Sequence, residues 1–268
     1  MRPNRGKEFE LEVVGLIPAA GLAARLSPLP CSKELYPVGF GSGYSGQDLR
    51  PKVACHYLLE RMQFAGISKA FIILRKGKWD IPAYLGDGTM LGMNLAYLMM
   101  RLPYGVPYTI DQAYPFIREA IVAMGHPDTL FETDDAFVHL LETLTTSDND
   151  LVLGLFPSDR PEKTDMVDVA DNGRIRQILI KPGKTHLRNT WGIAVWKPVF
   201  THFIHDYLSK IAEPTTNEEL FMSEVIQAAI REDVRVRAEQ VSDKTLLDIG
   251  TAEDLRRAVR RFSSFEEE

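Results

Sequence analysis

The most constraining feature of this sequence is a hydrophobic segment, residues 11–17, that runs directly into a loop of small residues around Gly21. A strand that ends in such a loop leaves backbone N–H groups uncovered, and a helix that starts there would point the positive end of its dipole at the loop. Arg25 and Lys33 follow and add two positive side chains. The pattern predicts a polyphosphate site. Its backbone contacts would come from four residues: Ala19, Ala20, Gly21 and Ala23.

The loop matches neither of two common phosphate-binding motifs. A P-loop places its lysine directly after the second glycine, whereas Lys33 comes twelve residues after Gly21. A dinucleotide fingerprint reads GxGxxG, but Ala20 and Ala23 occupy the positions near Gly21. These differences argue against a dinucleotide-dependent dehydrogenase. From the residues alone, an ordinary strand–turn–helix with surface charge remains an alternative.

The composition limits the class of protein. A chain of 268 residues, 45% hydrophobic and 25% charged, is long enough for one large globular domain. A formal net charge of -6 disfavours non-specific nucleic-acid binding. Two cysteines are too few for a disulfide scaffold, which favours a reducing compartment. The N-terminus lacks the apolar core of a secretory signal, and no run reaches the roughly 18 apolar residues of a membrane span. We therefore expect a cytoplasmic protein without nucleic-acid or membrane partners.

Hydrophobic segments and amphipathic segments alternate along the first part of the chain. Predicted strands cover residues 11–17, 70–74, 94–99, 121–124 and 151–156, and predicted helices cover 52–64, 112–120 and 134–145. This alternation is typical of a largely parallel sheet that helices cover on both faces. Further on, residues 166–180 predict a β-hairpin with a type I′ turn at Asn172-Gly173. A strand at 192–196 and helices at 218–231 and 252–262 follow.

Several motifs resemble those of a known family. Residues 17–26 read IPAAGLAARL and residues 33–37 read KELYP. Together they resemble the N-terminal signature of the sugar-1-phosphate nucleotidylyltransferases (nucleoside-diphosphate-sugar pyrophosphorylases), with wording most like the UDP-glucose pyrophosphorylase branch. Residues 84–97, the hairpin region and the segment 248–255 are similar to later motifs of this family, in the same order.

The resemblance spans about residues 11 to 260 and implies a fold. We expect an α/β, three-layer Rossmann-like nucleotidyltransferase fold with a mixed, mostly parallel sheet and a small sugar-binding β-hairpin subdomain. Residues 1–268 would form one domain. Within it, residues 11–160 would bind the nucleotide, residues 161–250 the sugar phosphate, and residues 251–268 would form a C-terminal helix and tail.

The resemblance also implies an active site. Asp128 and Asp248 would bind Mg²⁺, which prefers hard oxygen ligands. Catalytic contacts to the phosphates would come from three positive side chains: Arg25, Lys33 and Lys181. Substrate contacts would come from three further residues: Gln112 for the nucleotide, and Asp168 and Gly192 for the sugar.

Alternative roles remain open for several of these residues. Asp128 follows a predicted strand and could cap a helix instead, and His126 competes with it for the metal position. Asp168 could be a solvated strand residue, and Lys181 could be a surface lysine. Asp111, beside Gln112, could contact the ligand or serve as a helix N-cap.

Four departures from the family pattern bear on substrate choice. The glycine-rich insertion at residues 39–50 could be a flexible hairpin without a role, or a flap over the substrate. The segment 107–113 has no glycine, although the corresponding family loop contacts base and sugar. Ile180 replaces a family glutamate. Alanines at positions 20 and 23 would strain the phosphate loop if either needs a positive φ.

The predicted function is the transfer of a nucleotidyl group from a nucleoside triphosphate, preferably UTP or dTTP, to a sugar-1-phosphate. The products would be an NDP-sugar and pyrophosphate. The alternatives are a cytidylyltransferase that acts on another phosphorylated alcohol and a non-catalytic nucleotide-sugar sensor of the same fold. Two widely separated metal carboxylates argue against the sensor. A homo-oligomer is compatible with the sequence.

Overall fold

The structure is a computed structural model that describes residues 11–42, 49–101, 104–211 and 219–263. Its strands are β1 (Val13–Pro18), β2 (Pro37–Ser42), β3 (Leu49–Val53), β4 (Lys69–Arg75), β5 (Asn94–Met100), β6 (Ile121–Gly125), β7 (Thr129–Leu130), β8 (Leu151–Pro157), β9 (Met166–Val169), β10 (Ile175–Leu179), β11 (Asn189–Trp196), β12 (Val236–Gln240) and β13 (Leu247–Asp248). Its α-helices are α1 (Ala54–Phe64), α2 (Asp80–Leu85), α3 (Val106–Asp111), α4 (Tyr114–Ile117), α5 (Ala136–Thr146), α6 (Pro198–Lys210), α7 (Met222–Arg231) and α8 (Ala252–Ser263).

A nine-stranded mixed sheet forms the centre of the molecule. Strands β5, β4, β1 and β6 lie side by side and are parallel. Strand β11 pairs antiparallel with β6 and with β8, and β12 extends the sheet beyond β8. The β9–β10 hairpin joins the sheet through β11. The predicted mixed α/β sheet is therefore confirmed.

Helices cover both faces of this sheet and give the predicted three layers. On one face, α3, α4, α6 and α7 pack on a core that includes Leu16, Met124 and Trp196. On the other face, α1, α2 and α5 pack on a second core around Ile17 and Phe137. Apolar side chains on both faces explain why β1 and β6 read as continuous hydrophobic runs. A third, smaller cluster lies beneath α8.

The predicted helix at 52–64 begins later, at Ala54. Residues 51–53 belong instead to β3, which pairs with β2 in a two-stranded ribbon where Phe40 lies opposite Pro51. Proline is tolerated there because such a ribbon has free edges. The predicted glycine-rich insertion is thus partly this ribbon. Residues 43–48 of the insertion lie outside the described residues, so the choice between a hairpin and a flap stays open.

Two further predictions of local structure were wrong, and a third was wrong only at its start. The helix at 112–120 is replaced by α3, which ends at Asp111, and the four-residue α4, so Asp111 is not an N-cap. The turn at Gly173 is not type I′, which needs a positive φ at both central residues, because only Gly173 has one (81°). The helix at 218–231 begins at Met222. Residue 218 lies outside the described residues.

No helix in the described ranges combines the length and the apolar character needed to cross a bilayer.

Candidate functional site

Strand pairing brings the two predicted metal ligands together. Asp128 follows the end of β6, just before β7, and Asp248 ends β13. These short strands pair antiparallel with Asp248 opposite Thr129. The Ile249 N–H donates to the Asp128 carbonyl at 3.0 Å. Two carboxylates from distant parts of the sequence therefore lie side by side at the edge of the sheet where β6 ends.

Lys33 completes this group, which we call the carboxylate edge (Lys33, Asp128 and Asp248). Its ammonium forms an ion pair with the Asp128 carboxylate, and the Asp128 side chain is 9% exposed. Lys33 starts a three-residue 3-10 turn, and the next two residues, Glu34 and Leu35, are buried. Burial of these neighbours fixes the backbone from which the Lys33 side chain extends.

The charged groups of the carboxylate edge shift one another's pKa values. Burial alone would raise the pKa of Asp128, but Lys33 and then His126 outweigh burial and lower it to about 2. Asp248 is exposed at the surface, but the protein atoms around its carboxyl, and then the charge of Asp128, raise the pKa of that carboxyl to about 7. Burial alone would lower the pKa of Lys33, but the two carboxylates raise it. One ammonium thus compensates only one of two adjacent carboxylates.

The residues present fit a divalent cation that substrate also helps to hold. Among the described residues, no third His, Cys, Asp or Glu joins Asp128 and Asp248 to complete a metal cluster. Mg²⁺ commonly takes one or two carboxylates and fills its other positions with phosphate oxygens and water. The two adjacent carboxyl groups of Asp128 and Asp248 are hard oxygen donors of the kind that such an ion prefers.

The predicted phosphate loop differs from expectation in two ways. No α-helix starts in it: after a turn at residues 24–26, the next helical segment is the 3-10 turn at Lys33, so the loop gains no helix dipole. Pro28 and Pro30 disfavour the α conformation in the residues before them. In addition, the Ala19 N–H already donates to the Ile73 carbonyl at 2.9 Å and is not free for a phosphate.

The expected strain is present at one of the two alanines. Ala23 has a φ of 52°, whereas Ala20 is buried and has no positive φ. Gly21 also has no positive φ, and a Cβ built there would meet no described atom within 4 Å. The loop therefore places its left-handed residue at an alanine instead of a glycine, at an energetic cost.

Arg25 reaches the carboxylate edge from the phosphate loop. A Cβ built on Gly250 would lie 3.2 Å from Arg25 Nη2 and 3.2 Å from Asp248 Oδ2. The missing side chain at Gly250 therefore leaves the space in which the guanidinium lies near the carboxylate. This gives a physical reason for the glycine in the Asp248-Ile-Gly-Thr motif.

The residues predicted to bind the sugar phosphate lie on the β9–β10 hairpin and in the segment from β10 into β11, a region that we call the hairpin side. Asp168, on β9, forms an ion pair with Arg176 at 3.3 Å. Lys181 has a φ of 42° and lies exposed just after β10, with its ammonium 4.3 Å from the centre of the Phe221 ring. Gly192 has a packing role, because a Cβ there would come within 2.5 Å of Leu246. The substrate contacts predicted for these residues stay predictions.

A chain of polar contacts connects the hairpin side to the carboxylate edge. Gly183, two residues after Lys181, donates its N–H to the Pro161 carbonyl at 3.3 Å. Arg160, next to Pro161, binds Asp254 at 2.5 Å at the start of α8. Asp254 in turn accepts a hydrogen bond from Thr251 at 2.6 Å, three residues after Asp248. The hairpin side and the carboxylate edge therefore meet at the start of α8.

Gln112 is exposed just after α3, and its amide donates a long hydrogen bond, 3.4 Å, to the Tyr108 carbonyl of that helix. Its neighbour Asp111 binds His205 at 3.0 Å. The predicted nucleotide contact of Gln112 stays a prediction.

Sequence reasoning missed several residues around Lys33. Asp80 accepts hydrogen bonds from the Ser32 N–H and hydroxyl at 2.6 and 2.7 Å. Lys78 and Glu34 form a buried ion pair. Each pair is more than forty residues apart in sequence, and no local motif marks it.

Comparison with known proteins agrees with this geometry. The family model described as nucleotidyl transferase matches residues 14–264. The chain belongs to this family. The predicted family, that of the sugar-1-phosphate nucleotidyltransferases, and the predicted fold are thereby confirmed.

Two curated relatives resemble this chain over most of its length. The low-salt glycan biosynthesis nucleotidyltransferase Agl11 of Haloferax volcanii is 25% identical over 90% of this chain and 63% of its own length. A glucose-1-phosphate thymidylyltransferase of Streptomyces griseus is 24% identical over 85% of this chain and 60% of its own length. The chain thus spans about three fifths of the length of these relatives.

Solved structures share the fold over almost their whole length. A candidate glucose-1-phosphate thymidylyltransferase from Bacillus anthracis, crystallised with sucrose, has a TM-score of 0.79 at 20% identity and covers 96% of this chain and 97% of its own. The inositol-1-phosphate CTP transferase from T. maritima has a TM-score of 0.70 at 17% identity and covers 95% and 99%. This chain therefore has the same fold as these two solved structures.

Proposed function

We propose that this protein transfers a nucleotidyl group from UTP or dTTP to a sugar-1-phosphate, releasing pyrophosphate. The observation that carries the proposal is the carboxylate edge, in which Lys33, Asp128 and Asp248 converge. Family membership supports the same reaction type. We further propose that residues 11–160 bind the nucleotide and residues 161–250 the sugar phosphate.

This reaction requires mainly that the two substrates are positioned and that the negative charge of the phosphates is neutralised. A phosphate oxygen of the sugar-1-phosphate attacks the α-phosphorus in line and forms a new P–O bond. The bond from the α-phosphorus to the bridging oxygen breaks, and pyrophosphate leaves with that electron pair. Catalysis of such a step depends on preorganised positive charge.

Each positive side chain has a role in this proposal. Lys33 contacts the α-phosphate from a backbone that buried neighbours hold in place. Arg25 contacts the phosphates from the loop, and Lys181 orients the attacking phosphate. The family generally uses a divalent metal ion, and Mg²⁺ held by Asp128 and Asp248 would supply further neutralisation of the phosphate charge.

A cytidylyltransferase that acts on another phosphorylated alcohol is the second candidate. The likeness to an inositol-1-phosphate CTP transferase favours it, although at 17% identity this likeness concerns the fold. A thymidylyltransferase among the curated relatives favours the first candidate. The two convergent carboxylates disfavour a non-catalytic sensor, because binding alone does not require a metal site.

Pyrophosphate release tests the proposal. The purified protein is incubated with Mg²⁺, each of UTP, dTTP, CTP, GTP and ATP, and a panel of sugar-1-phosphates and inositol-1-phosphate. We expect release that requires one nucleotide and one sugar-1-phosphate together. Release only with CTP and inositol-1-phosphate would support the second candidate. Nucleotide binding without release from any pair would contradict the transferase proposal.

A further inference from the structure

Three side chains next to the hairpin form a chain of hydrogen bonds that we call the indole chain (Asp165, Ser223 and Trp191). The Trp191 indole N–H donates to the Ser223 hydroxyl at 3.0 Å, and this hydroxyl donates to Asp165 Oδ2 at 2.5 Å. Both directions are fixed, because an indole N–H can only donate and a carboxylate can only accept. The indole chain therefore holds the Trp191 ring in one orientation.

The backbone closes this chain into a rigid unit. Thr190, the residue before Trp191, donates its hydroxyl to the Asp165 carbonyl at 2.8 Å. Asp165 is thus bonded to Thr190 directly and to Trp191 through Ser223, which is 1% exposed. A ring held in this way is preorganised, so a ligand that packs on it does not have to order it.

The indole chain carries an energetic cost. Asp165 Oδ1 is buried and has no hydrogen-bond partner among the residues that the structure describes. A buried acceptor without a partner costs free energy, and a half-satisfied polar network is less favourable than an apolar core. Stability alone therefore does not account for the indole chain. Its evident effect is to fix Trp191, which is only half-buried.

The position of Trp191 links it to the carboxylate edge. Strand β11 runs antiparallel to β6, with Ile193 opposite Gly125, the last residue of β6. Trp191 comes two residues before Ile193 and so lies beyond this end of β6, where Asp128 also follows. The pairing of β11 with β8 is irregular between Trp191 and Ile193, and such irregularities re-aim side chains next to active sites.

The start of α7 contacts both Trp191 and a positive side chain. The Lys181 ammonium lies 4.3 Å from the centre of the Phe221 ring, and Phe221 is two residues before Ser223. A cation and a fixed aromatic ring on one short segment suit a ligand in which a phosphate is attached to a ring. The C–H face of a pyranose or cyclitol ring is apolar and packs against an aromatic face.

We propose that Trp191 is a specificity-determining residue on which the ring of the phosphorylated acceptor packs. Asp165 and Ser223 are positioning residues that act through Trp191. The inference rests on the proposed function, which places the sugar phosphate on the hairpin side with Lys181 at its phosphate. It narrows the acceptor to a cyclic phosphorylated alcohol, because an open-chain alcohol presents no ring face.

Calorimetric titration of the whole chain, alone and with UTP or dTTP, measures this preference. The ligands are glucose-1-phosphate, inositol-1-phosphate and the open-chain glycerol-3-phosphate. We expect one of the two cyclic compounds to bind at least about 10-fold more tightly than glycerol-3-phosphate, as the packing of a ring on an aromatic face allows. Trp191→Leu removes this face and should reduce the preference to about 2-fold or less.

Two further variants keep this test sharp. Trp79→Leu is the matched control, since it removes an exposed indole at the start of α2, and it should keep the wild-type preference. Trp191→Phe keeps an aromatic face without the N–H and should keep a preference within about 3-fold of wild type. Thermal unfolding verifies that each variant is folded.

A pair of substitutions at Asp165 tests the positioning role. Asp165→Asn keeps an oxygen that accepts from Ser223 and should behave as wild type. Asp165→Ala removes this acceptor and should raise KM for the cyclic acceptor about 3-fold with kcat unchanged, as for loss of one hydrogen bond. A network with a structural role alone would lower the unfolding temperature of Asp165→Ala and leave KM unchanged, which would remove the positioning assignment.

Three results would overturn the role of Trp191: no measurable binding of either cyclic compound, equal binding of cyclic and open-chain compounds by the wild type, or an undiminished preference in Trp191→Leu. Failure of the proposed function gives a different pattern. In that case the wild type releases no pyrophosphate from any substrate pair, while the binding preference and its loss in Trp191→Leu persist. Conversely, pyrophosphate release together with an undiminished preference in Trp191→Leu removes the inference and leaves the transferase proposal intact.

Discussion

The carboxylate edge and the hairpin side are built differently. At the edge, Asp248 is exposed, but the Asp128 side chain is only 9% exposed and the residues on both sides of Lys33 are held by bonds to a second segment. On the hairpin side, Asp168 is 21% exposed in a single ion pair, and Lys181 is exposed with a ring as its partner. We infer that the edge carries the steps common to all nucleotides, which need fixed geometry. The hairpin side then has room to vary with the sugar.

The largest effect expected from this contrast is at Asp248. Asp248→Asn should lower kcat on the order of 10³-fold, because one of the two carboxylates proposed to hold Mg²⁺ is lost. The fold should persist, because asparagine has the same size and shape as aspartate. The measurement is kcat as a function of Mg²⁺ concentration. Asp243→Asn, an exposed change in the preceding loop, is the control. Unchanged kcat at saturating Mg²⁺ would remove Asp248 from the site.

Arg25 tests how far the edge extends into the phosphate loop. Arg25→Ala should lower kcat/KM on the order of 10²-fold, as for loss of one preorganised charge contact. Arg118→Ala, an exposed change at the end of α4, should have no such effect. Near-normal kinetics for Arg25→Ala would show that the loop does not hold the triphosphate.

Phe221 sharpens the comparison on the hairpin side. Phe221→Leu removes the ring under the Lys181 ammonium and should raise KM for the sugar phosphate about 5-fold with little change in kcat. Phe221→Tyr keeps the aromatic face and should restore the wild-type KM. If both variants behave alike, the ring does not position Lys181.

The smallest effect concerns the strained alanine. Ala23→Gly should raise the free energy of unfolding by up to about 1 kcal/mol, because glycine adopts a φ of 52° without strain but also gains freedom when unfolded. Ala24→Gly is the matched control, since Ala24 has no positive φ, and it should lower stability. Denaturant unfolding measures both. A loss of stability in both variants would mean that the conformation of Ala23 carries no strain.

Elements whose structure depends on nearby residues were predicted well, and elements whose structure depends on distant residues were not. The predicted strand at 121–124 ends within one residue of β6, because a strand buried on both faces must be apolar along its length. The predicted helix start at residue 52 was wrong because a proline followed by apolar residues at helical spacing also fits a ribbon strand. That choice depended on pairing with β2, which residue periodicity does not contain.

The sequence by itself determined the alternation of strands and helices, the loop of small residues after β1, and the two aspartates in family motifs. These features depend on short segments, in which burial and turn formation impose residue types at fixed spacing. Only the tertiary structure decided that Asp128 and Asp248 are neighbours, that Ser32 and Glu34 are bound by Asp80 and Lys78, and that Ser223 joins Trp191 to Asp165. The physical reason is that such contacts depend on strand register and packing between segments far apart in the chain, and no local pattern encodes either.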